Sequence, residues 1–125
     1  MLVGRRMGYA ARRMPTKEDF FDRAVDCVAD GDTEAAVRAY LDAIALDAHY
    51  ADAWQGLALA YSGLGRHHEA IDAAKRLVEL TPDDVLAHTT LSRMFQAAGM
   101  IAEAEAAGGR ARILDWKRQL KEGGE

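Results

Sequence analysis

The chain repeats itself every 34 residues. Gly31, Gly65 and Gly99 stand at that interval, and so do Ala36, Ala70 and Ala104, then Leu46, Leu80 and Leu114. Cys27, Tyr61 and Phe95 follow the same period, as do Phe20, Trp54 and His88. Five coincident columns leave little room for chance. A 34-residue period is the length of a helix–turn–helix unit that stacks on copies of itself, because one such unit cannot bury its apolar face alone. The 125 residues hold three units within one domain, about the practical minimum for stability.

Local chemistry marks the same boundaries. Each glycine of the first column follows an apolar-periodic run and permits the left-handed turn that closes a helix. Asp32-Thr33 supplies side-chain oxygens to cap the next helix. Thr81-Pro82-Asp83-Asp84 combines a stop, a turn and a cap before Val85. These signals predict helices at 16–29, 33–46, 51–63, 67–80, 85–98 and 101–121. The last is long because no proline interrupts it. Gly108-Gly109 in its middle is expected to mark close backbone approach or a bend, since each glycine costs about 1 kcal/mol relative to alanine.

Residues 51–84 carry Trp54, then Leu57 and Ala58, then Tyr61, Ala70 and Pro82. In order and spacing they resemble the tetratricopeptide repeat (TPR) family, whose pattern runs W-x2-L-G-x2-Y…A…P. Ala74 stands where that family commonly has a large aromatic and Leu77 where it has alanine, a swap that roughly conserves volume. The first repeat, 17–50, keeps Phe20, Ala24, Ala36, Tyr40 and Ala43 but has Ala48 in the proline column. The third, 85–118, keeps Leu91, Phe95, Ala104 and Ala111, with His88 in the tryptophan column and Trp116 in the proline column. The resemblance spans residues 17–118 and implies an all-α, right-handed α-solenoid of three helix-turn-helix repeats with an extended C-terminal capping helix. Ile113, Trp116 and Leu120 are expected to cover the end of the stack. The domain is expected to run over 16–121, between a basic N-terminal extension (1–15) and a short tail (122–125).

The resemblance also implies a binding surface: the concave groove lined by the first helix of each repeat. Residues off the packing columns fall there: Phe21, Asp22, Val25 and Val28 in the first repeat; Gln55, Gly56, Leu59 and Ser62 in the second; Leu86, Thr89, Thr90, Arg93 and Gln96 in the third. This mixed lining suits an extended or helical peptide with apolar anchors and a carboxylate for Arg93. One subclass of the family clamps the C-terminal carboxylate of heat-shock chaperones. The matching positions here, Phe21, Val25, Gly56, Leu86 and Thr90, offer no charged donor, so that clamp is not expected.

No catalytic constellation stands out. There is no Gly-rich loop opening a helix, no Walker lysine and no G-x-S-x-G, and the carboxylates are scattered along helix faces. The histidines His49, His67, His68 and His88 lack metal-ligand spacing, and Cys27 reads as a small buried hydrophobe. Neither an enzyme nor a cofactor is expected. The net charge of −4 conceals an asymmetry: residues 1–14 hold four arginines and no acid, leaving 12 basic against 20 acidic residues beyond them. An acidic body argues against nucleic acid, and no apolar run approaches the roughly 18 residues of a spanning helix. A cytoplasmic protein-binding adaptor is the leading expectation. A homo-oligomeric module that stacks end to end, or a regulatory or chaperone-like subunit of an enzyme, are its alternatives. Residues 1–15 stay open between an upstream translation start, with Met14 or Met7 as the natural one, an arm that touches an anionic membrane, a partner, the acidic body or the groove of a neighbouring copy, a mimic of an organelle transit peptide, and a segment used in crystal or dimer packing.

Overall fold

The computed structural model describes residues 14–123. The arginine-bearing segment 1–13 and the last two residues, with the readings placed on them, lie outside the described residues. The described residues form helices α1 (Lys17–Ala29), α2 (Thr33–Leu46), α3 (Ala51–Gly63), α4 (His67–Leu80), α5 (Val85–Ala97) and α6 (Ile101–Gly123). Their ends fall within two residues of the expected ones. Consecutive helices pack in antiparallel pairs, α1 with α2, α3 with α4 and α5 with α6. Each pair leans on the next through α2–α3 and α4–α5, and α3 also meets α5.

The turns are built alike in all three repeats. Gly31, Gly65 and Gly99 have φ of 81°, 76° and 79°, a region that any side chain would strain. The residue after each glycine then donates its N–H to a carbonyl five positions back, Asp32 to Cys27, Arg66 to Tyr61 and Met100 to Phe95, at 2.8–2.9 Å. That bond closes the helix end and aims the chain into the next helix. Thr16 caps α1 in a reciprocal box with Asp19, Asp32 caps α2, and Asp84 caps α5.

Small residues set the spacing. Ala24, Ala36, Ala58 and Ala70 are completely buried, and Ala104 nearly so, which lets paired helices approach closely. Ser92 replaces alanine at the equivalent place in α5, and its hydroxyl donates to the Ala104 carbonyl at 2.7 Å. A methyl group on Gly108 would sit 3.2 Å from that same Ser92 Oγ. Close approach therefore accounts for Gly108. Ala74 and Leu77 are both buried, as the volume-conserving swap requires.

His88 fills the tryptophan column by keeping one chemical property of tryptophan. The Trp54 indole donates Nε1–H to the carbonyl of Ala48 at 2.9 Å. His88 holds the carbonyl of Pro82, also six residues earlier, with Nε2 at 2.7 Å. A carbonyl only accepts, so Nε2 carries the proton. Both rings tie the start of a repeat to the turn before it.

The expectation for the last helix needs correction. Ile113, Trp116 and Leu120 do not cover the end of the stack: they are 46%, 60% and 54% exposed. The contacts to α5 come instead from Ala104, Ala107, Ala111 and Leu114 on the opposite side of α6. Helical geometry explains the difference, because Ile113, Trp116 and Leu120 share a stripe roughly half a turn away from that packed face.

Candidate functional site

A cleft of about 280 Å³ opens where α1, α2 and α3 meet, lined by Val28, Thr33, Tyr40, Gly56, Leu59, Ala60 and Gly63. Its shape follows from α3. Gly56, Ala60 and Gly63 recur at helical spacing and present almost no side chain, so that side of the helix is hollow. Val28 and Leu59 form the walls, both large, apolar and exposed. Only Thr33 and Tyr40 bring polar side-chain atoms. Burial pushes the Tyr40 phenol above its ordinary value, so it remains a neutral O–H donor. The volume lies at the lower edge of the roughly 300–1,000 Å³ usual for small-molecule pockets. It is large enough to hold one or two apolar side chains.

Tyr40 and Gly56 are one structural unit. A Cβ built on Gly56 would lie 2.3 Å from Tyr40 Cζ, so the ring rests directly on the α3 backbone. Phe21 holds the other side of that ring edge-on, with centroids 5.8 Å apart, and also leans on Tyr50 at 5.5 Å. Lys17 adds its ammonium over the Tyr50 ring and pairs with Asp47 in the loop between α2 and α3. The hydrogen bond to Lys17, and then the His49 N–H, hold the Asp47 carboxyl below its ordinary value; the same hydrogen bond to Asp47 raises the Lys17 ammonium. The start of α1 is thereby fastened to the loop that leads from α2 into the second repeat.

The structure distributes the residues expected in the groove among different tasks. Val28 and Leu59 meet in the cleft, and Val25 stands exposed one turn before Val28. Leu86 is exposed on α5. Arg93 and Gln96 are also exposed, and Arg93 forms no hydrogen bond or ion pair among the described residues. Ser62 is half-buried. Phe21 serves the aromatic cluster, and the Thr89 hydroxyl donates to the Val85 carbonyl. Thr90 is fully buried and donates to Gln55 Oε1 at 2.9 Å, so it ties α5 to α3 beneath the surface and is out of a ligand's reach. Gly56 shapes the cleft by what it lacks.

Thr33, Tyr40, Ala60 and Gly63 line the cleft but were not among the groove residues expected from the sequence. The run Gly56, Ala60, Gly63 on one side of an otherwise bulky helix was the signal that could have found them. A second cleft, also about 280 Å³, lies between α2 and α4 over α3, lined by Leu41, Trp54, Leu57, Tyr61, Glu69, Asp72, Ala73 and Arg76. Its rim is charged: Arg66 lies over the Tyr61 ring and pairs with Glu69, whose carboxyl this hydrogen bond lowers.

Stacked helix pairs with a shared turn, a shared spacing of small residues and a groove beside the first helices define a helical-repeat solenoid. The tetratricopeptide repeat family profile matches residues 28–94, and the chain belongs to that family. Over 93 residues it is 32% identical to the tetratricopeptide repeat and J domain-containing co-chaperone DNJ1 of Cryptococcus neoformans, covering 74% of this chain and 18% of that protein. Among solved structures, MamA superposes with a TM-score of 0.78 at 26% identity, covering 83% of this chain and 61% of that one. The second TPR of Spaghetti (RPAP3), bound to the HSP90 peptide SRMEEVD, superposes with a TM-score of 0.74 at 21% identity, covering 79% and 92%. The chain thus spans under a fifth of that co-chaperone and about three-fifths of MamA. No helix among the described residues is long and apolar enough to cross a membrane.

Proposed function

We propose that this chain is a protein-binding module whose ligand, a peptide or protein segment with apolar anchors, docks on the first-helix face at the Val28–Leu59 cleft. The observation that carries the reading is the coincidence of a preformed hollow with exposed Val25, Val28, Leu59 and Leu86 on α1, α3 and α5. Apolar side chains held in water at a ready concavity gain by covering each other with a partner. Arg93, exposed and unpaired among the described residues, would receive a carboxylate from the same ligand. The structural neighbours bound to peptides, and the co-chaperone relative, support protein or peptide binding as the task of such a fold. The apolar character of this cleft argues for a different ligand from an acidic chaperone tail.

Capture from the native lysate tests this. The intact chain should retain a partner that a Leu59→Glu/Arg93→Glu variant of unchanged helicity loses. Equal capture by both forms would move binding to another surface.

A further inference from the structure

The solvent side of α6 differs from that of α4. At positions 34 residues apart, α4 presents His68, Asp72, Lys75 and Glu79, whereas α6 presents Ala102, Ala106, Gly109 and Ile113. Trp116 and Leu120 continue the α6 series beyond the point where α4 has ended. The successive spacings of Ala102, Ala106, Gly109, Ile113, Trp116 and Leu120 are four, three, four, three and four, the seam of a coiled coil. Ala102 and Ala106 on this seam are exposed, and its three large members are about half exposed. Gly109 lies on it. Unlike Gly108, it has only the Arg112 guanidinium, 3.6 Å from a built Cβ, as a neighbour. Packing within the chain therefore gives no reason for a glycine at a position where alanine would favour the helix by about 1 kcal/mol.

The seam is also graded, small at its N-terminal half and large at its C-terminal half. We infer that its occupant is α6 of a second copy of this chain, lying antiparallel. In one register all three large residues face small ones at once: Leu120 meets Ala102, Trp116 meets Ala106, and Ile113 meets Gly109. Each of these pairs then recurs across the two-fold axis. A parallel pairing sets tryptophan on tryptophan and leaves a gap between the alanines.

In the antiparallel register Glu103 faces Lys117 of the second copy on both sides of the axis, and Arg110 and Arg112 each approach their own copies. These attractions and repulsions roughly offset, so the driving force is apolar and depends weakly on salt. The seam is about 27 Å long, which places the contact at the small end of specific interfaces and its dissociation constant in the micromolar range. The inference is independent of the first-helix cleft. Since the seam faces away from α5, a dimer would carry two clefts and engage a repeated partner with avidity.

Sedimentation velocity on the full chain, from about 10 μM to 1 mM, tests both the dimer and its register. Wild type should dimerise with concentration. Trp116→Ala should weaken dimerisation about tenfold or more. Ala106→Trp should weaken it similarly by forcing tryptophan against tryptophan. The double variant W116A/A106W, in which each new tryptophan faces a new alanine, should recover to within about threefold of wild type. Both positions of the test are solvent-side, and circular dichroism would verify that each variant keeps its helices. A monomer throughout the range overturns the proposal. So does self-association that ignores these substitutions, or that Ala106→Trp strengthens as general stickiness would.

Discussion

Replacing Gly56 by alanine should destabilise the fold, although the same change in an exposed helix would stabilise it. The helix itself gains about 1 kcal/mol from the substitution. Against that stands the Tyr40 ring, 5% exposed, whose Cζ, Cε1 and hydroxyl lie 2.3–2.6 Å from the new methyl. Ordinary contact needs more than 3.4 Å. The ring cannot swing away without leaving its edge-on contact with Phe21 and the buried seat it occupies. Overpacking of this kind costs about 1–3 kcal/mol, and an overlap exceeding 1 Å belongs at the upper end. The net loss should be about 2 kcal/mol. In a Tyr40→Ala background the obstacle is gone and only the helical gain remains, so Gly56→Ala should then stabilise by about 1 kcal/mol. The two residues are thus coupled by about 3 kcal/mol, measurable as a double-mutant cycle by urea denaturation followed at 222 nm. If Gly56→Ala is neutral or stabilising in the wild-type background, the ring does not rest on α3 and the origin of the cleft given above is wrong.

Three further outcomes follow from the same packing. His88→Phe should cost about 1–2 kcal/mol in urea denaturation by leaving the Pro82 carbonyl without its donor; an unchanged midpoint would show that the bond contributes nothing. Lys17→Met should destabilise modestly at neutral pH because the pair is partly exposed. The depressed Asp47 carboxyl contributes fully above its ordinary value of 3.8 and fades as acid carries the pH through its lowered value. The raised Lys17 ammonium contributes fully below 10.5 and fades as the pH climbs through its raised value. The gap between wild type and the variant should therefore narrow at both extremes and stay constant between; a gap that is the same at pH 2 and pH 7 would refute the pairing. Val28→Glu should abolish partner capture while leaving thermal stability within about 0.5 kcal/mol, since the side chain is half exposed; an equal loss of folding would mean that the site was damaged and not just blocked.

The fold was legible because the repeat speaks several times. Three glycines at positive φ and five buried alanines recur at one interval, so each repeat confirms the others. Site residues are by nature the ones that do not recur. Helical spacing placed Val25, Val28, Leu59 and Leu86 on an exposed surface, but it could not separate Thr90, which sinks beneath that surface to hold Gln55. That depends on how far α5 settles onto α3. The Tyr40–Gly56 pair was present in the columns as opposed sizes. Tyr40 aligns with Ala74, and Gly56 with Thr90, so a large residue facing none becomes a small residue facing a medium one. Reading that exchange requires knowing that the two columns touch. Ile113, Trp116 and Leu120 misled for a related reason: apolarity favours burial, but the rotation of α6 decides whether the chain's own helices supply it, and here they do not.

Site-specific photo-crosslinking locates the docked partner most directly. A photoreactive residue placed at position 28 or 59 should capture the partner in high yield, while the same group at Asp72 or Glu79, on the second-helix face, should not. That outcome would locate the ligand on the first-helix cleft. Equal or greater capture from positions 72 and 79 would contradict it and assign binding to the outer surface between α2 and α4.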